Sequence, residues 1–227
     1  MGTVLVATVF SQARFILKDE DGVRWTDPEL LTWLNNGQRE VVIFKPNACV
    51  KNTAIQLAPG TKQALPADGV QLIDIPRNMG AAGTTPGAAV RLVPREILDQ
   101  AAPNWHASTP SAVVVHFTYN PNDPKTFYTY PPQPATGMGY VDMVYGAMPT
   151  DCAIGTGTVI NVDDIYESVL IDYVLYRAFS KDTEFAPDPS RAAFHQSAYL
   201  SALGGKVKAE AVKNPNTNAP ARSKPNG

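Results

Sequence analysis

Residues 25–40 read WTDPELLTWLNNGQRE and contain the clearest helix start in the chain. Asp27 can cap the free amides of a helix, Pro28 suits the first helical position, and Glu29 suits the positive end of the helix dipole. The pattern predicts a helix from Asp27 to about Phe44, which Pro46 stops.

The two tryptophans of this stretch leave two interpretations open. Trp25 lies just before the predicted cap, and Trp33 lies eight residues further along. Both could staple the helix to the core, or either could anchor a subunit interface, where tryptophan is favoured. The outer face of the helix, with Trp33, Gln38 and Glu40, is the candidate subunit interface.

Helical periodicity is also found at both ends of the chain. A first helix is predicted over residues 3–18, where apolar residues recur at helical spacing. A third helix is predicted from a cap at Asn161, and a fourth follows Asp188-Pro189 and ends at Gly204-Gly205.

The middle of the chain has short apolar or alternating runs separated by Pro, Gly and Asn, which is typical of strands and turns. Pro94 to Gln100 could add a short helical turn, and Asn120 to Pro124 reads as a hairpin turn. The predicted strands are residues 54–57, 70–75, 89–93, 113–119, 126–130 and 140–145.

These patterns predict an α+β fold. Two N-terminal and two C-terminal helices form a four-helix bundle, with an inserted β-rich module and an extended C-terminal tail. The bundle takes residues 1–46 and 161–203, the module takes 47–160, and the tail takes 204–227 as a basic arm, disordered in isolation.

Charge is distributed unevenly along the chain. Residues 204–227 contain five Lys or Arg and one Glu, so the tail has a net charge of +4. The whole chain has a net charge of −2, so residues 1–203 have a net charge of −6. Such an arm is expected to dock on something acidic or polar.

Two cysteines, Cys49 and Cys152, cannot define a disulfide framework and are predicted to be reduced core residues. The N-terminus lacks the features of a signal peptide, and no run reaches the roughly 18 apolar residues of a membrane span. A soluble protein in a cytoplasm-like setting is therefore expected.

Catalytic patterns are weak, and no catalytic residue, metal site or cofactor is predicted. His106, His116 and His195 do not form a metal-binding pair, and the glycine-rich residues 80–87 lack the Lys-Ser/Thr ending of a phosphate loop. Asp163 and Asp164 fit helix capping and dipole compensation better than paired catalysis.

Nucleic-acid recognition is weakly indicated, because the body is acidic and basic residues concentrate in the arm. A base-stacking surface is conceivable, but core or interface packing is favoured for the aromatic residues that would form it, with Lys125 the one basic residue among them. These residues are Tyr119, Phe127, Tyr128 and Tyr130.

The whole pattern resembles the head-to-tail adaptors, also called tail tubular or connector proteins, of tailed phages. The resemblance rests on residues 25–38, on the β-rich middle, on residues 163–178 with sequence DDIYESVLIDYVLYRA, and on a last helix beginning Asp188-Pro189. It runs from about residue 3 to 203, and the large β-rich middle makes adaptors of short-tailed phages the better comparison.

This resemblance implies a structural protein of the virion tail, assembled in the host cytoplasm, that forms a ring of twelve subunits below the portal. DNA would pass through the central channel without sequence-specific binding, and the β module would face a tail nozzle or the next tail protein. The arm would dock on the portal, and its candidate docking residues are Lys206, Lys208, Lys213, Asn214, Arg222 and Lys224.

The alternative from a different class is a virion protein that binds DNA or protects DNA ends through the basic arm. That alternative predicts DNA binding that weakens steeply with salt, because it depends on contacts between basic side chains and phosphates.

Overall fold

The computed structural model of the protein describes residues 2–181 and 189–213, with the backbone alone for 206–213. Five α-helices and seven strands lie in this part of the chain. The helices are α1 (Val6–Leu17), α2 (Asp27–Phe44), α3 (Arg95–Ala101), α4 (Glu167–Lys181) and α5 (Pro189–Lys213). The strands are β1 (Val50–Gln56), β2 (Gly60–Ala64), β3 (Gly69–Asn78), β4 (Arg91–Leu92), β5 (His116–Tyr119), β6 (Thr126–Gln133) and β7 (Tyr140–Ala147).

The chain divides into two compact units. The helical unit takes the described residues up to Lys45 and from Thr150 onward, and the β unit takes Pro46–Pro149. In the helical unit, α4 packs against α1, α2 and α5. A helix that is apolar around most of its circumference must be covered on several sides, and α4 is such a helix. Its buried residues are Val169, Leu170, Ile171, Tyr173, Val174, Leu175, Ala178 and Phe179.

The α+β class is confirmed, but the four-helix bundle with one inserted module is wrong. The described residues contain five helices and two separate sheets, and the fifth helix, α3, lies in the β unit. Periodicity shows which face of a helix is buried and leaves the neighbour unspecified. The apolar stripe predicted for this segment is wide enough to be covered on more than one side, and the structure shows that α1, α2 and α5 cover it.

The helix start at residues 25–40 is confirmed, although its cap differs from the prediction. Thr26, and not Asp27, is the N-cap, and it forms a capping box with Glu29, whose Oε2 accepts a bond from the Thr26 amide at 3.1 Å. Asp27 is the first residue of α2, and its carboxylate accepts a hydrogen bond from Arg14.

The start of the third predicted helix also shifts by two residues. Asp163, not Asn161, caps a short 3₁₀ turn that leads into α4, and its carboxylate accepts a bond from the Ile165 amide at 3.1 Å. Asn161 instead faces the segment before it, where its side-chain amide donates to the Thr150 carbonyl at 2.7 Å.

The last helix does not end at Gly204-Gly205 as predicted. It begins at Pro189 and continues through both glycines to Lys213, so part of the predicted extended tail is helical. Glycine is unfavourable in a helix by about 1 kcal/mol relative to alanine, which is too little to end one by itself. The predicted cap at Asp188 lies outside the described residues.

The β unit contains two sheets. One has the order β1-β7-β3 and is antiparallel, and the other has the order β2-β6-β5-β4, in which only the β4–β5 pair is parallel. A core cluster of buried side chains lies in this unit, and it includes Ile75, Phe117, Phe127, Val141 and Met143. Each predicted strand overlaps an observed one, and β2 was not predicted.

The predicted hairpin is confirmed at residues 116–133. β5 pairs with β6 in antiparallel register, with Tyr119 opposite Phe127. In the turn between the strands, the Asn120 side chain accepts a bond from the Asn122 amide at 3.0 Å. This is the local side-chain bonding that makes asparagine common in turns.

Candidate functional site

The outer face of α2 was the candidate subunit interface, and the structure places its three residues in different environments. Trp33 and Glu40 are half-buried, whereas Gln38 is 1% exposed. A buried side chain cannot contact a second copy without unfolding its surroundings, so Gln38 is corrected from interface residue to internal residue. The interface itself stays a prediction, now limited to Trp33 and Glu40.

Gln38 belongs to a buried polar cluster that joins α2 to the chain returning from the β unit. Its Oε1 accepts a bond from the Asn161 amide at 2.6 Å, and its Nε2 lies 3.3 Å from both Asn35 Oδ1 and Cys152 Sγ. Asn35 accepts a bond from the Cys152 amide at 2.9 Å. The cluster satisfies polar groups that would otherwise be costly to bury.

Cys152 is 5% exposed and lies inside this cluster. Burial raises the pKa of its thiol, because the thiolate would lose its hydration. Cys49 is half-buried, and neither cysteine forms a disulfide. The thiol of Cys152 therefore acts as a small packed side chain, as predicted from the sequence.

Glu40 connects three helices. Its carboxylate accepts hydrogen bonds from the Tyr173 hydroxyl of α4 at 3.1 Å and from the Tyr199 hydroxyl of α5 at 3.2 Å. Burial, followed by the nearby Glu40 charge, raises the pKa of Tyr173 to about 12, and the same two causes raise the pKa of Tyr199. Both hydroxyls are therefore held protonated as donors.

Trp25 is a core residue. Its side chain is 4% exposed, and its indole Nε1 donates to the Ala178 carbonyl of α4 at 3.2 Å. Of the two interpretations of this tryptophan, the structure supports the staple to the core.

The inner side of α5 is fixed to α4 and α2, and its outer side carries apolar residues. Tyr199 and Leu203 are each 2% exposed, and His195 Nδ1 lies 2.9 Å from Asp172 Oδ1. On the outside, Phe194 is 67% exposed and Leu200 is 48% exposed. Phe194, the more exposed of the two, is a candidate contact residue for another protein.

The candidate docking residues of the arm lie at the far end of the chain. Lys206, Lys208 and Lys213 are on the last two turns of α5, where the structure describes the backbone only. Asn214, Arg222 and Lys224 lie outside the described residues. Their docking role stays a prediction.

Among the surface grooves of the β unit are one with a mixed polar and apolar lining and one with a mainly apolar lining. The larger, of about 660 Å³, lies between the β4–α3 connection and the β5–β6 hairpin, and its lining includes Leu92, Arg95, Glu96, Tyr119 and Asp123. The smaller, of about 380 Å³, is lined mainly by small and apolar residues, among them Gly80, Gly87, Ala112, Val113 and Gly139. The glycine-rich residues 80–87 thus contribute to an apolar groove.

The aromatic residues of β5 and β6 pack within the β unit. Phe127 is fully buried, and the rings of Tyr128 and Tyr130 meet Trp105 edge to face at 6.4 and 6.5 Å between centroids. Trp105 is itself 1% exposed. Packing against Trp105 and the core therefore accounts for Phe127, Tyr128 and Tyr130, as the sequence favoured.

The three histidines have separate surroundings. His106 Nδ1 lies 2.8 Å from Thr61 Oγ1, His116 stacks on Tyr130, and His195 pairs with Asp172. Among the described side chains, those of residues 2–181 and 189–205, there is no group of three or more His, Cys, Asp or Glu able to hold a metal ion. In residues 2–181 and 189–213, none of the helices combines the length and apolar character that crossing a membrane requires.

Several residues of these contacts escaped prediction. Asn35 and Gln38 interrupt the apolar residues of a helix at i and i+3, and that spacing could have indicated a buried polar cluster. The Glu40 partners Tyr173 and Tyr199 lie 133 and 159 residues further along the chain, beyond the reach of any local pattern.

Comparison with known proteins gives one family. A family model described as SU10 adaptor protein matches residues 5–223, which is nearly the whole chain. No curated protein matches the chain.

Proposed function

The chain belongs to the SU10 adaptor protein family, and from this premise we propose that it forms a ring below the portal and joins the capsid to the tail. The family match confirms the predicted resemblance to phage head-to-tail adaptors, and it makes the protein a structural component of a phage. The single observation that carries the proposal is the length of this match, which takes in both units of the chain.

The proposed ring has twelve subunits, as the resemblance implies, with DNA passing through its channel. The net charge of −6 outside the arm supports a channel that does not retain DNA, because like charge opposes adhesion to phosphates. A ring of identical subunits needs a contact between two different patches on each copy. Trp33 of α2 and Phe194 of α5 are exposed enough to contribute to such patches.

The portal-docking element in this proposal is the end of α5 together with the basic residues after it. Tyr199 and Leu203 anchor the helix to the body, and a Cβ added at either glycine of the pair that follows would meet no side chain of the described residues within 4 Å. Leu203 is thus the last buried side chain that the structure describes, and the arm is proposed to begin at residue 204. Repetition around a ring would multiply even a weak contact.

The β unit is proposed to face the tail nozzle or the next tail protein. Its larger groove supports this, because charged Arg95, Glu96 and Asp123 lie beside exposed Leu92. An apolar centre with a polar rim is typical of non-obligate protein–protein interfaces.

Truncation of residues 204–227 tests the docking arm. The shortened protein should lose only the helical circular dichroism signal of residues 204–213 and keep its melting temperature, because the last buried anchor described, Leu203, remains. It should no longer co-sediment with the portal of the same phage, whereas the full chain should. Co-sedimentation of the truncated protein at full-length affinity would refute the arm.

A charge variant serves as the control. With Lys206, Lys208, Lys213, Arg222 and Lys224 changed to glutamine, portal binding should weaken if the charge of the arm contributes. Steep, salt-dependent DNA binding that these substitutions abolish would instead favour the DNA-binding alternative.

A further inference from the structure

Three of the four sheet edges in the described β unit carry a device that blocks pairing with another chain. β4 has two residues, β2 has a register shift between Gly60 and Lys62, and β3 has three register shifts and Pro76. Short strands, bulges and proline are the devices by which natural sheets avoid edge-to-edge association.

Strand β1 has none of these devices. Its seven residues pair with β7 in unbroken register from Val50 opposite Gly146 to Gln56 opposite Tyr140, and it contains neither proline nor glycine. A lysine can protect an edge, but the Lys51 ammonium is bound to the Asp68 carboxylate at 2.5 Å. The edge of β1 is therefore regular and unguarded.

The hydrogen bonds at the two ends of β1 show which backbone groups face outward. The Ala147 amide donates to the Cys49 carbonyl at 2.8 Å, and the Leu57 amide donates to the Gly139 carbonyl at 3.0 Å. Because bonding alternates along an antiparallel pair, odd-numbered residues of β1 bond to β7. The even-numbered residues, Val50, Asn52, Ala54 and Gln56, direct their N–H and C=O groups away from β7.

The residues of β1 whose backbone groups point away from β7 are exposed to solvent in whole or in part. Asn52 and Gln56 are exposed, Val50 is 47% exposed and Ala54 is half-buried. Strand β1 is the end member of its sheet, and no other strand of the described chain pairs with it. A row of unpaired donors and acceptors of this kind is a template for a further strand.

We infer that the free protein pairs with a second copy of itself through β1. Pairing between sheets needs two open edges, and β1 is the one unguarded edge in the described part of the chain. The contact is therefore β1 to β1, an antiparallel pair with a two-fold axis, in which the same patch serves both copies.

The sequence of β1 fits this self-pairing. An axis at Thr53 places Asn52 opposite Ala54 and Val50 opposite Gln56, so that the outward groups bond to one another. The two Thr53 side chains then face each other, a favourable cross-strand pair, and Lys51 lies opposite Ile55. No like charges are opposed.

This inference does not rest on the proposed function. A two-fold contact closes on itself and cannot be repeated around a ring. The pair is thus a form of the protein before assembly, and it protects an edge that would otherwise invite aggregation. The pair opens when the subunit enters a ring, so loss of the pair should leave ring formation intact.

Sedimentation equilibrium of the full chain over a wide concentration range tests the inference. The wild type should show a monomer–dimer equilibrium. Ala54→Pro removes an outward N–H that bonds to no group in the described part of the chain, so the variant should remain monomeric with an unchanged melting temperature. Ala54→Ser, which keeps the N–H, should dimerise like the wild type.

A second variant covers the case in which Ala54→Pro fails to fold. Asn52→Lys with Ala54→Lys keeps the backbone but opposes like charges across the axis, and it should also be monomeric. A wild type that is monomeric at every concentration, or a dimer that survives in a folded variant of either kind, would overturn the inference.

Discussion

The Glu40 carboxylate accepts a hydrogen bond from the Tyr199 hydroxyl at 3.2 Å and so joins α2 to α5. The bond thus connects α2 to the helix whose C-terminal end is part of the proposed arm. Because Tyr199 is 2% exposed, its hydroxyl has no ready access to water as a substitute partner. Both ends of the bond therefore contribute to holding α5 in place.

Removing this bond should destabilise the helical unit. A bond to a charged group contributes roughly 1.5–3 kcal/mol, so Tyr199→Phe should lower the free energy of unfolding by about that amount. A double-mutant cycle with Glu40→Ala, followed by urea denaturation, isolates the coupling. Coupling near zero would show that the contact contributes packing alone.

Alkaline pH should unfold the helical unit through its buried tyrosines. Tyr173 has a pKa of about 12 in the folded protein, above the roughly 10 of an unfolded tyrosine. The contribution of Tyr173 to the free energy of unfolding is therefore complete below about pH 10. As the pH rises toward 12, the free energy of unfolding falls by roughly 2–3 kcal/mol. Tyr166, with a pKa raised to about 12 mainly by burial, should act in the same direction.

Urea denaturation at several pH values between about 9 and 12 checks this slope. Tyr173→Phe should be less stable than the wild type at neutral pH, but its stability should fall less steeply above pH 10. If the free energy of unfolding fell equally steeply with pH in the wild type and in Tyr173→Phe, the loss would not be due to ionisation of Tyr173.

Two helical glycines should respond to alanine in opposite ways. At Gly37 a Cβ would lie 2.8 Å from Tyr173 Cδ1 and 3.3 Å from Leu170 Cδ2, so Gly37→Ala should destabilise by about 1–3 kcal/mol through overpacking. At Gly204 an added Cβ would meet no described atom within 4 Å beyond its chain neighbours and its own helix backbone, so Gly204→Ala should stabilise by up to about 1 kcal/mol through helix propensity.

Thermal unfolding of the two glycine variants measures the difference directly. Stabilisation by Gly37→Ala would mean that α2 and α4 are further apart than described. Destabilisation by Gly204→Ala would mean that the glycine pair is packed against something.

The buried polar cluster should be sensitive to loss of Gln38. Gln38→Ala leaves the Asn161 amide without its 2.6 Å partner and should cost roughly 1–3 kcal/mol. Gln12→Ala is the matched control, because Gln12 donates to Glu167 at the surface at 2.8 Å and should change stability by less than about 0.5 kcal/mol. If urea denaturation showed the same loss of stability for Gln38→Ala and Gln12→Ala, the buried hydrogen bond would not be worth more than the exposed one, which would contradict the prediction.

Local signals predicted the helix at residues 27–44 well. A proline marks each end of this helix. Pro28 lies in its first turn, where proline fits, and Pro46 comes shortly after its last residue and prevents the helix from continuing. The N-cap was misassigned by one residue, because Thr26 and Asp27 are both residue types that cap helices. The choice depends on which backbone amide donates to the Glu29 carboxylate, and in the structure it is that of Thr26.

Strand β2 shows why part of the β unit could not be predicted. Its buried residues Thr61 and Gln63 are polar, and Gln63 is satisfied by the backbone of Ala58 and Gly60. No apolar alternation marks such a strand, because its buried side chains are polar, and the Thr61 hydroxyl meets His106, which lies 45 residues further along the chain.

The candidate contact surfaces were less predictable than the fold. Periodicity placed Gln38 on the outer face of α2, but the segment around Cys152 and Asn161 returns to cover it. The open edge of β1 was also not predicted, because an edge is defined by the strand that is missing beside it.

The central claim is tested most directly by electron microscopy of the full chain mixed with the portal of the same phage. We predict a closed ring of this protein at the narrow end of the portal, with the ring absent when residues 204–227 are deleted. Free subunits beside bare portals, at concentrations where both proteins are folded, would contradict the account.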